Sequence, residues 1–235
     1  MNFMKSLFVN LALLVFIAVS TGCTSYSRKY NDFVDQDDNA FKSVLIGEQE
    51  WMESNLQVST FRNGAKITQA KNASEWYTAY SKKKPAWCWK NFNKNNKSAG
   101  KFYNYYALVD KRGLAPKEWK IPSVKDYQIN ISVPLWFGSY SSILAHKSSE
   151  GWNWSCNGNN SSGLNVFPHG YCNTAGVFKD DCCSYFWTIS SVINDENPKA
   201  SKATDAFFIK LKTCDCSDYS TARKGVGMPV RCIKN

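Results

Sequence analysis

Residues 186–192 (FWTISSV) and 206–211 (AFFIKL) decide the fold class of this chain. Both runs are short and rich in aromatic and β-branched residues, a composition that predicts β-strands. A third run, 228–233 (MPVRCI), predicts a closing strand near the C-terminus. Towards the N-terminus, 41–47 (FKSVLIG) alternates in part between apolar and polar residues and predicts the first strand, and 49–56 (QEWMESNL) continues extended.

Two short helices are predicted between these strands. Residues 73–82 (ASEWYTAYSK) space their apolar side chains as one face of a helix does, and Asn72 is placed to cap its start. A second helix is predicted to begin after Ser123, with Asp126 adding negative charge to its first turn. Residues 102–109 are too aromatic to assign. Two helices followed by late strands indicate a mixed α+β domain with antiparallel strands rather than a parallel α/β fold.

The N-terminus has the layout of a bacterial lipoprotein signal peptide over residues 1–22. One cation, Lys5, precedes an apolar run, and small residues lead to Cys23. The run is too short to span a bilayer, which takes ~20 apolar residues. Ordinary secretion stays an alternative, because Ser20 stands where such signals prefer an aliphatic residue. We expect a lipid on Cys23, attachment to the outer membrane, a flexible polar tether over 23–40 and one folded domain over 41–235.

The chain is basic, with 29 Lys and Arg residues against 19 Asp and Glu residues and a formal net charge of +10. Basic surfaces attract nucleic acid, anionic lipid head groups or acidic polysaccharides. Because the signal directs export, nucleic acid is the least expected of these partners. The expected partners are the membrane, through the lipid on Cys23, and a glycan or protein of the cell envelope.

Eight cysteines follow Cys23, an even number in a compartment where disulfides persist. The favoured pair is Cys88 with Cys232, which lie early and late in the domain, and the other pairings stay open. Paired zinc cysteines usually have two to four residues between them, so we expect no metal and no cofactor. All eight are disulfide candidates: Cys88, Cys156, Cys172, Cys182, Cys183, Cys214, Cys216 and Cys232.

The long loop predicted over 148–179 holds the candidate ligand site. Trp152, Asn153, Trp154 and Asn157 offer aromatic faces for stacking on sugars and amides for hydrogen bonds. The same tryptophans are equally typical of a buried core. Calcium-dependent sugar binding is disfavoured, because the loop lacks the cluster of carboxylates that calcium prefers.

The chain resembles the Fibrobacter succinogenes major paralogous domain. The resemblance begins with the motifs at 44–52 (VLIGEQEWM), 55–56 (NL) and 60–64 (TFRNG). The remaining matches follow in the family's order: 85–88 (PAWC), 100–107 (GKFYNYYA), 112–116 (RGLAP), 119–123 (WKIPS), 163–165 (GLN) and 230–232 (VRC). The family occurs largely in exported proteins and lipoproteins. The resemblance implies a single C-type-lectin-like domain, a fold shared with sulfatase-modifying enzymes.

The chain departs from the family pattern at several positions. Glu118-Trp119-Lys120 stands where the family usually has Gly-Trp-His, and Tyr127 replaces a tryptophan. The loop cysteines are additional, which predicts a long, disulfide-stapled loop region.

Three functions compete. The favoured one is non-catalytic binding of a glycan or protein at the envelope, and a structural or assembly role is the alternative. An enzyme is least favoured, because fold kinship does not transfer function and neither His146 nor His169 lies in a recognisable catalytic motif.

Overall fold

A computed structural model describes residues 30–131, 140–153, 156–191, 204–212 and 217–235. Its largest sheet joins both ends of the described chain and has five strands in the order β1-β2-β3-β13-β7. Every neighbouring pair in this sheet is antiparallel. The strands are β1 (Tyr30–Val34), β2 (Ala40–Ile46), β3 (Gln49–Met52), β7 (Trp119–Lys120) and β13 (Ile233–Lys234).

A second antiparallel sheet contains the two runs that decide the fold class. Its strands are β10 (Ser184–Ser191), β11 (Asp205–Leu211) and β12 (Ser217–Arg223), in that spatial order. The strands predicted at 186–192 and 206–211 are therefore confirmed. The sequence analysis misses β12, and the predicted strand over 228–233 is reduced to the two residues of β13.

Two small sheets complete the strand set. One contains β4 (Thr68–Gln69), β5 (Ala86–Trp89) and β6 (Lys101–Tyr103), in which β4 runs parallel to β5. The other pairs β8 (Tyr171–Cys172) with β9 (Phe178–Lys179). Two short 3₁₀ segments, Lys90–Phe92 and Lys94–Ala99, connect β5 to β6.

Four α-helices are described, and the two predicted ones begin at the predicted caps. The Asn72 side chain accepts a hydrogen bond from the backbone N–H of Glu75 at the start of α1. Ser123 and Asp126 form a reciprocal capping box at the start of α3. The sequence analysis did not assign the other two. The helices are α1 (Ala73–Ser81), α2 (Tyr105–Leu108), α3 (Val124–Asn130) and α4 (Tyr140–His146).

The interior contains three packed clusters of buried side chains. Alternate residues of β11 serve two of them: Phe208 packs in the cluster around Trp187, whereas Ile209 packs in the cluster around Trp51. The third cluster surrounds Trp76 and Phe102. The sheet β10-β11-β12 is therefore covered on both faces along β11, which explains why its sequence is almost continuously apolar.

The flexible tether predicted through Ala40 is wrong for the residues that the structure describes before Phe41. Phe33 of β1 stacks on Trp119 with ring centroids 4.4 Å apart. Gln36 donates from Nε2 to the backbone oxygens of Thr60 and Leu114, at 3.0 and 3.1 Å. Polar composition misled the prediction, because these polar side chains bond to the domain itself.

The α+β class is supported by this mixture of short helices and antiparallel sheets. The predicted disulfide staples are absent from the described residues, in which six cysteines are thiols: Cys88, Cys156, Cys172, Cys182, Cys183 and Cys232. Cys88 and Cys232 are not paired, because they lie in different core clusters. Cys23, Cys214 and Cys216 lie outside the described residues.

Candidate functional site

A broad concave surface lies on the sheet β10-β11-β12, and we call it the sheet groove. It has a volume of about 630 Å³. Its lining residues come from the three strands, from β8 and the residues that follow it (171–174), and from the segment 226–228. They are Tyr171, Asn173, Thr174, Tyr185, Phe208, Lys210, Lys212, Asp218, Ser220, Thr221, Ala222, Arg223, Val226 and Met228.

Strand register places most of the groove residues on one face of the sheet; Thr221 and Arg223 alternate to the other face and line the groove near the end of β12. Lys210 lies opposite Tyr185 on one side and opposite Asp218 on the other. One pleat further along, Phe208 lies opposite Ser220. Because side chains alternate between faces along a strand, these residues point the same way. The sheet thus presents an aromatic row on β10 and β11 beside a polar row on β12.

The floor of the groove is aromatic. Tyr171 meets Tyr185 edge to face with ring centroids 4.9 Å apart, and Tyr185 lies 5.7 Å from Phe208. Tyr185 is only 5% exposed and Phe208 only 9% exposed, whereas Tyr171 is half-buried. Tyr171 is therefore the aromatic side chain most available for contact with a ligand.

Charged side chains form the rim. Lys210 Nζ lies 3.5 Å from Asp181 and 5.0 Å from the centre of the Tyr185 ring. Lys212 pairs with Asp218 at 2.5 Å. Arg223 is exposed, and its guanidinium forms no ion pair with the part of the chain that the structure describes. Three cations and one carboxylate line the groove among the described residues.

The Tyr185 hydroxyl is fixed by Asp181. It donates a hydrogen bond to Asp181 Oδ2 at 2.5 Å. Burial, together with this bond and the neighbouring carboxylate, raises the pKa of Tyr185 well above its ordinary value. The phenol therefore stays neutral at physiological pH and acts as a structural support of the floor.

The groove has the chemistry of a binding surface. An aromatic floor packs against apolar faces of a ligand, while the Ser220 hydroxyl and the Asn173 amide supply hydrogen-bonding groups. The rim cations attract anionic groups, and the Arg223 guanidinium matches a carboxylate in planar, bidentate geometry.

The structure places Trp152 in the core, which corrects its assignment as a stacking surface. Its side chain is 5% exposed, and its Nε1 donates to Ser148 Oγ and the Val166 oxygen at 3.1 and 3.0 Å. Lys147 Nζ lies 4.1 Å from the centre of its ring. The indole face is therefore unavailable to a sugar, as the core alternative anticipates.

The other three predicted ligand residues have different placements. The Asn157 side chain accepts a hydrogen bond from the backbone N–H of Trp152 at 3.0 Å, so this amide oxygen holds the loop. Asn153 is exposed. Trp154 lies outside the described residues. Of the four predicted ligand residues, the three that the structure describes do not line the sheet groove.

A buried lysine site was not found by sequence analysis. Lys101 is 3% exposed, its Nζ lies 4.0 Å from the centre of the Trp87 ring, and it donates a short hydrogen bond to Ser59 Oγ. Burial lowers the pKa of Lys101 to about 8, against the opposing attraction of Asp37 and Asp35. The one sequence feature that could have indicated this site is the position of the lysine next to Phe102 in an aromatic strand. A lysine is ordinarily expected to be exposed to solvent.

Both histidines are shielded from solvent, His146 more completely than His169. His146 is 1% exposed, and its Nδ1 lies 2.9 Å from Ser162 Oγ. Burial lowers the pKa of His146 to about 4. His169 is half-buried, and its pKa is lowered to about 3 by burial and by the charges of Arg231 and Lys90.

The described residues contain neither a membrane-spanning helix nor a metal-binding cluster. No helix among them is long and apolar enough to cross a bilayer. Over the same residues, no group of three or more His, Cys, Asp or Glu side chains is arranged to hold a metal ion.

Comparison with known proteins identifies the family. No curated protein and no solved structure matches the chain. The sequence profile of the Fibrobacter succinogenes major domain matches residues 44–234, which include the sheet β10-β11-β12 and all the residues that line the sheet groove. The chain therefore belongs to the Fibrobacter succinogenes major domain family.

Proposed function

We propose that this protein is a non-catalytic binding protein of the bacterial envelope and that its sheet groove holds an anionic polysaccharide. The observation that carries the proposal is the combination of an aromatic floor with a rim of three cations and one carboxylate. Sugars stack their apolar faces on aromatic rings, and acidic sugars add a carboxylate or sulfate that a guanidinium binds well.

Arg223 is the main charge contact in this proposal. Lys210 and Lys212 are each engaged by a carboxylate, whereas Arg223 forms no ion pair with any described residue. An anionic ligand at Arg223 therefore displaces no internal partner, and it gains the general attraction of a chain with a net charge of +10.

Export and lipid attachment remain part of the proposal. The N-terminal sequence supports them through the signal-like segment 1–22 and through Cys23, which lies seven residues before the first described strand. We propose attachment to the outer membrane through a lipid on Cys23. The C-type-lectin-like kinship implied by the family resemblance is likewise proposed, and it accords with a small α+β domain that carries a binding surface on one sheet.

The test compares binding of an acidic and a neutral polysaccharide, polygalacturonate and dextran, to the chain from Ser25 onward. We expect polygalacturonate to bind and dextran to bind weakly. The variant Lys212→Gln/Arg223→Gln removes two rim charges, and each charge-assisted hydrogen bond is worth ~1.5 kcal/mol or more, so the expected loss of affinity is roughly tenfold or greater.

Lys82→Gln/Lys83→Gln is the matched control. It removes the same charge from exposed residues at the end of α1 that do not line the groove. Equal losses in the two double variants, both fading with added salt, would show nonspecific attraction by the basic surface and would refute the groove as the site. Tyr171→Ala provides an uncharged check, because the proposal requires loss of binding without any change in net charge.

The second candidate is a structural or assembly role with a protein partner. The edge of the groove sheet favours it, because β12 pairs only with β11 among the described strands and exposes Tyr219 by 42%. An unpaired edge is a template for a strand of another protein. Photocrosslinking from position 219 in cells tests this role, which requires one discrete crosslinked protein that disappears in a variant with Ser220→Pro.

A further inference from the structure

Two buried thiols from distant parts of the chain meet in the core. Cys88 lies in β5, Cys172 lies in β8, and both are 0% exposed. They belong to the same packed cluster, and the Cys172 thiol is close enough to raise the pKa of Cys88. The contact links residues 84 positions apart in the sequence.

Backbone pairing fixes the positions of both residues. Cys172 exchanges two hydrogen bonds with Gly227, at 2.9 and 2.7 Å. The next residue, Met228, exchanges two with Tyr103 in β6, at 3.0 and 3.1 Å. Strand β6 in turn pairs with β5, where Cys88 lies opposite Phe102. A continuous backbone ladder thus connects the two cysteines.

Side-chain packing holds the same arrangement. Phe178 lies opposite Cys172 in the β8–β9 pair, and its ring is 5.4 Å from that of Phe102. An added Cβ at Gly227 would lie 2.7 Å from the Trp76 ring and 3.1 Å from the Cβ of Cys172. Both cysteines are therefore held inside one tightly packed cluster.

We propose that Cys88 and Cys172 form a disulfide bond when the protein is exported. The oxidant is the disulfide of a thiol oxidoreductase of the export compartment. The Cys88 thiolate attacks one sulfur of that disulfide and releases one oxidant thiol. The Cys172 thiolate then attacks the Cys88 sulfur and releases the second. Two protons and two electrons pass from the cysteines to the oxidant, which leaves as a dithiol.

The bond forms before this part of the core closes. Burial raises the pKa of Cys88 well above its ordinary value, so the folded dithiol offers little thiolate to an oxidant. The same burial protects the completed disulfide from exchange. Because Cys172 lies between Tyr171 and Asn173, the bond ties one wall of the sheet groove to β5.

Thiol mapping of the full chain tests the proposal. The chain is expressed with its own N-terminus in a bacterium that has an oxidising export compartment, thiols are alkylated with N-ethylmaleimide at lysis in denaturant, and peptides are analysed by mass spectrometry. We expect a peptide pair linked through Cys88 and Cys172 that disappears on reduction. Alkylated Cys88 and Cys172 in the exported protein, or either residue linked to a different cysteine such as Cys232, would overturn the proposal.

Single variants provide an independent readout. In Cys88→Ala, Cys172 should become alkylated in denaturant, and the reverse should hold for Cys172→Ala. Cys156→Ala is the matched control, because Cys156 is buried in a different cluster and its loss should leave the Cys88–Cys172 peptide pair intact. Thiol mapping does not depend on polysaccharide binding. A failure of the disulfide proposal can therefore be distinguished from a failure of the proposed function.

Discussion

Acid should destabilise this protein through His146, and replacing that residue should remove a defined part of the effect. The folded-state pKa of His146 is about 4, against an ordinary value of 6.5. A histidine with a lowered folded pKa binds its proton more tightly in the unfolded chain. Its contribution to stability is therefore fully present above pH 6.5 and is lost as the pH falls towards 4.

The two pKa values set the magnitude. Between pH 7 and pH 4.5 this one residue should lower the free energy of unfolding by about 2.4 kcal/mol, and the full difference of pKa corresponds to about 3.4 kcal/mol. His146→Asn keeps an amide N–H near the position of Nδ1, which faces Ser162 Oγ, but it does not titrate. The variant should be less stable than wild type at pH 7, because the smaller side chain leaves a cavity.

Urea unfolding followed by tryptophan fluorescence at pH 7 and pH 4.5 measures the effect. Between pH 7 and pH 4.5, the free energy of unfolding should fall by about 2.4 kcal/mol more in wild type than in His146→Asn. Other titrating groups, including His169, contribute equally to both proteins and cancel in the difference. Equal losses in wild type and variant would refute the reasoning, because they would show that His146 is not held neutral by burial.

Three further outcomes follow from single contacts. Ser123→Ala removes the capping box of α3 and should lower stability by ~1 kcal/mol in urea unfolding, whereas Ser123→Thr should retain most of it. Trp152→Ala should lower stability by ~3–5 kcal/mol, and Asn153→Ala, at an exposed neighbour, should change it little. A loss with Trp152→Ala below 1 kcal/mol would contradict its place in the core. For Lys101, the folded pKa of about 8 lies below the ordinary 10.5, so the unfolded chain binds more protons between these values and stability rises with pH. Relative to Lys101→Met, wild type should gain about 2 kcal/mol between pH 8 and pH 10, and a constant difference between the two proteins would contradict the lowered pKa.

Local signals in the sequence predicted the capped helices and the two apolar strands. Asn72 and Ser123 mark helix starts because their side chains bond to backbone N–H groups three residues later, a contact that depends on neighbouring residues alone. The apolar run of β11 predicted a strand from its own composition, and both faces of that strand are covered in the structure. Such features depend on short-range chemistry that a single sequence displays.

The groove could not be predicted in the same way. Its polar row lies on β12, whose sequence SDYSTAR resembles a solvated loop and becomes a strand only by pairing with β11. Its aromatic wall comes from Tyr171, which tertiary contacts bring to Tyr185. The assignment of Trp152 to a stacking surface was wrong for a related reason, because the partners that bury its side chain include Val166, fourteen residues away. Long-range pairing decides which aromatic residues face solvent.

The early start of the fold sets how far the domain stands from a membrane. Strand β1 begins at Tyr30, seven residues after Cys23, and an extended chain advances at most ~3.5 Å per residue. With the proposed lipid on Cys23, the outer edge of the five-stranded sheet lies within about 25 Å of the bilayer surface. The short segment between Cys23 and Tyr30 then holds the start of the folded domain close to the lipid head groups.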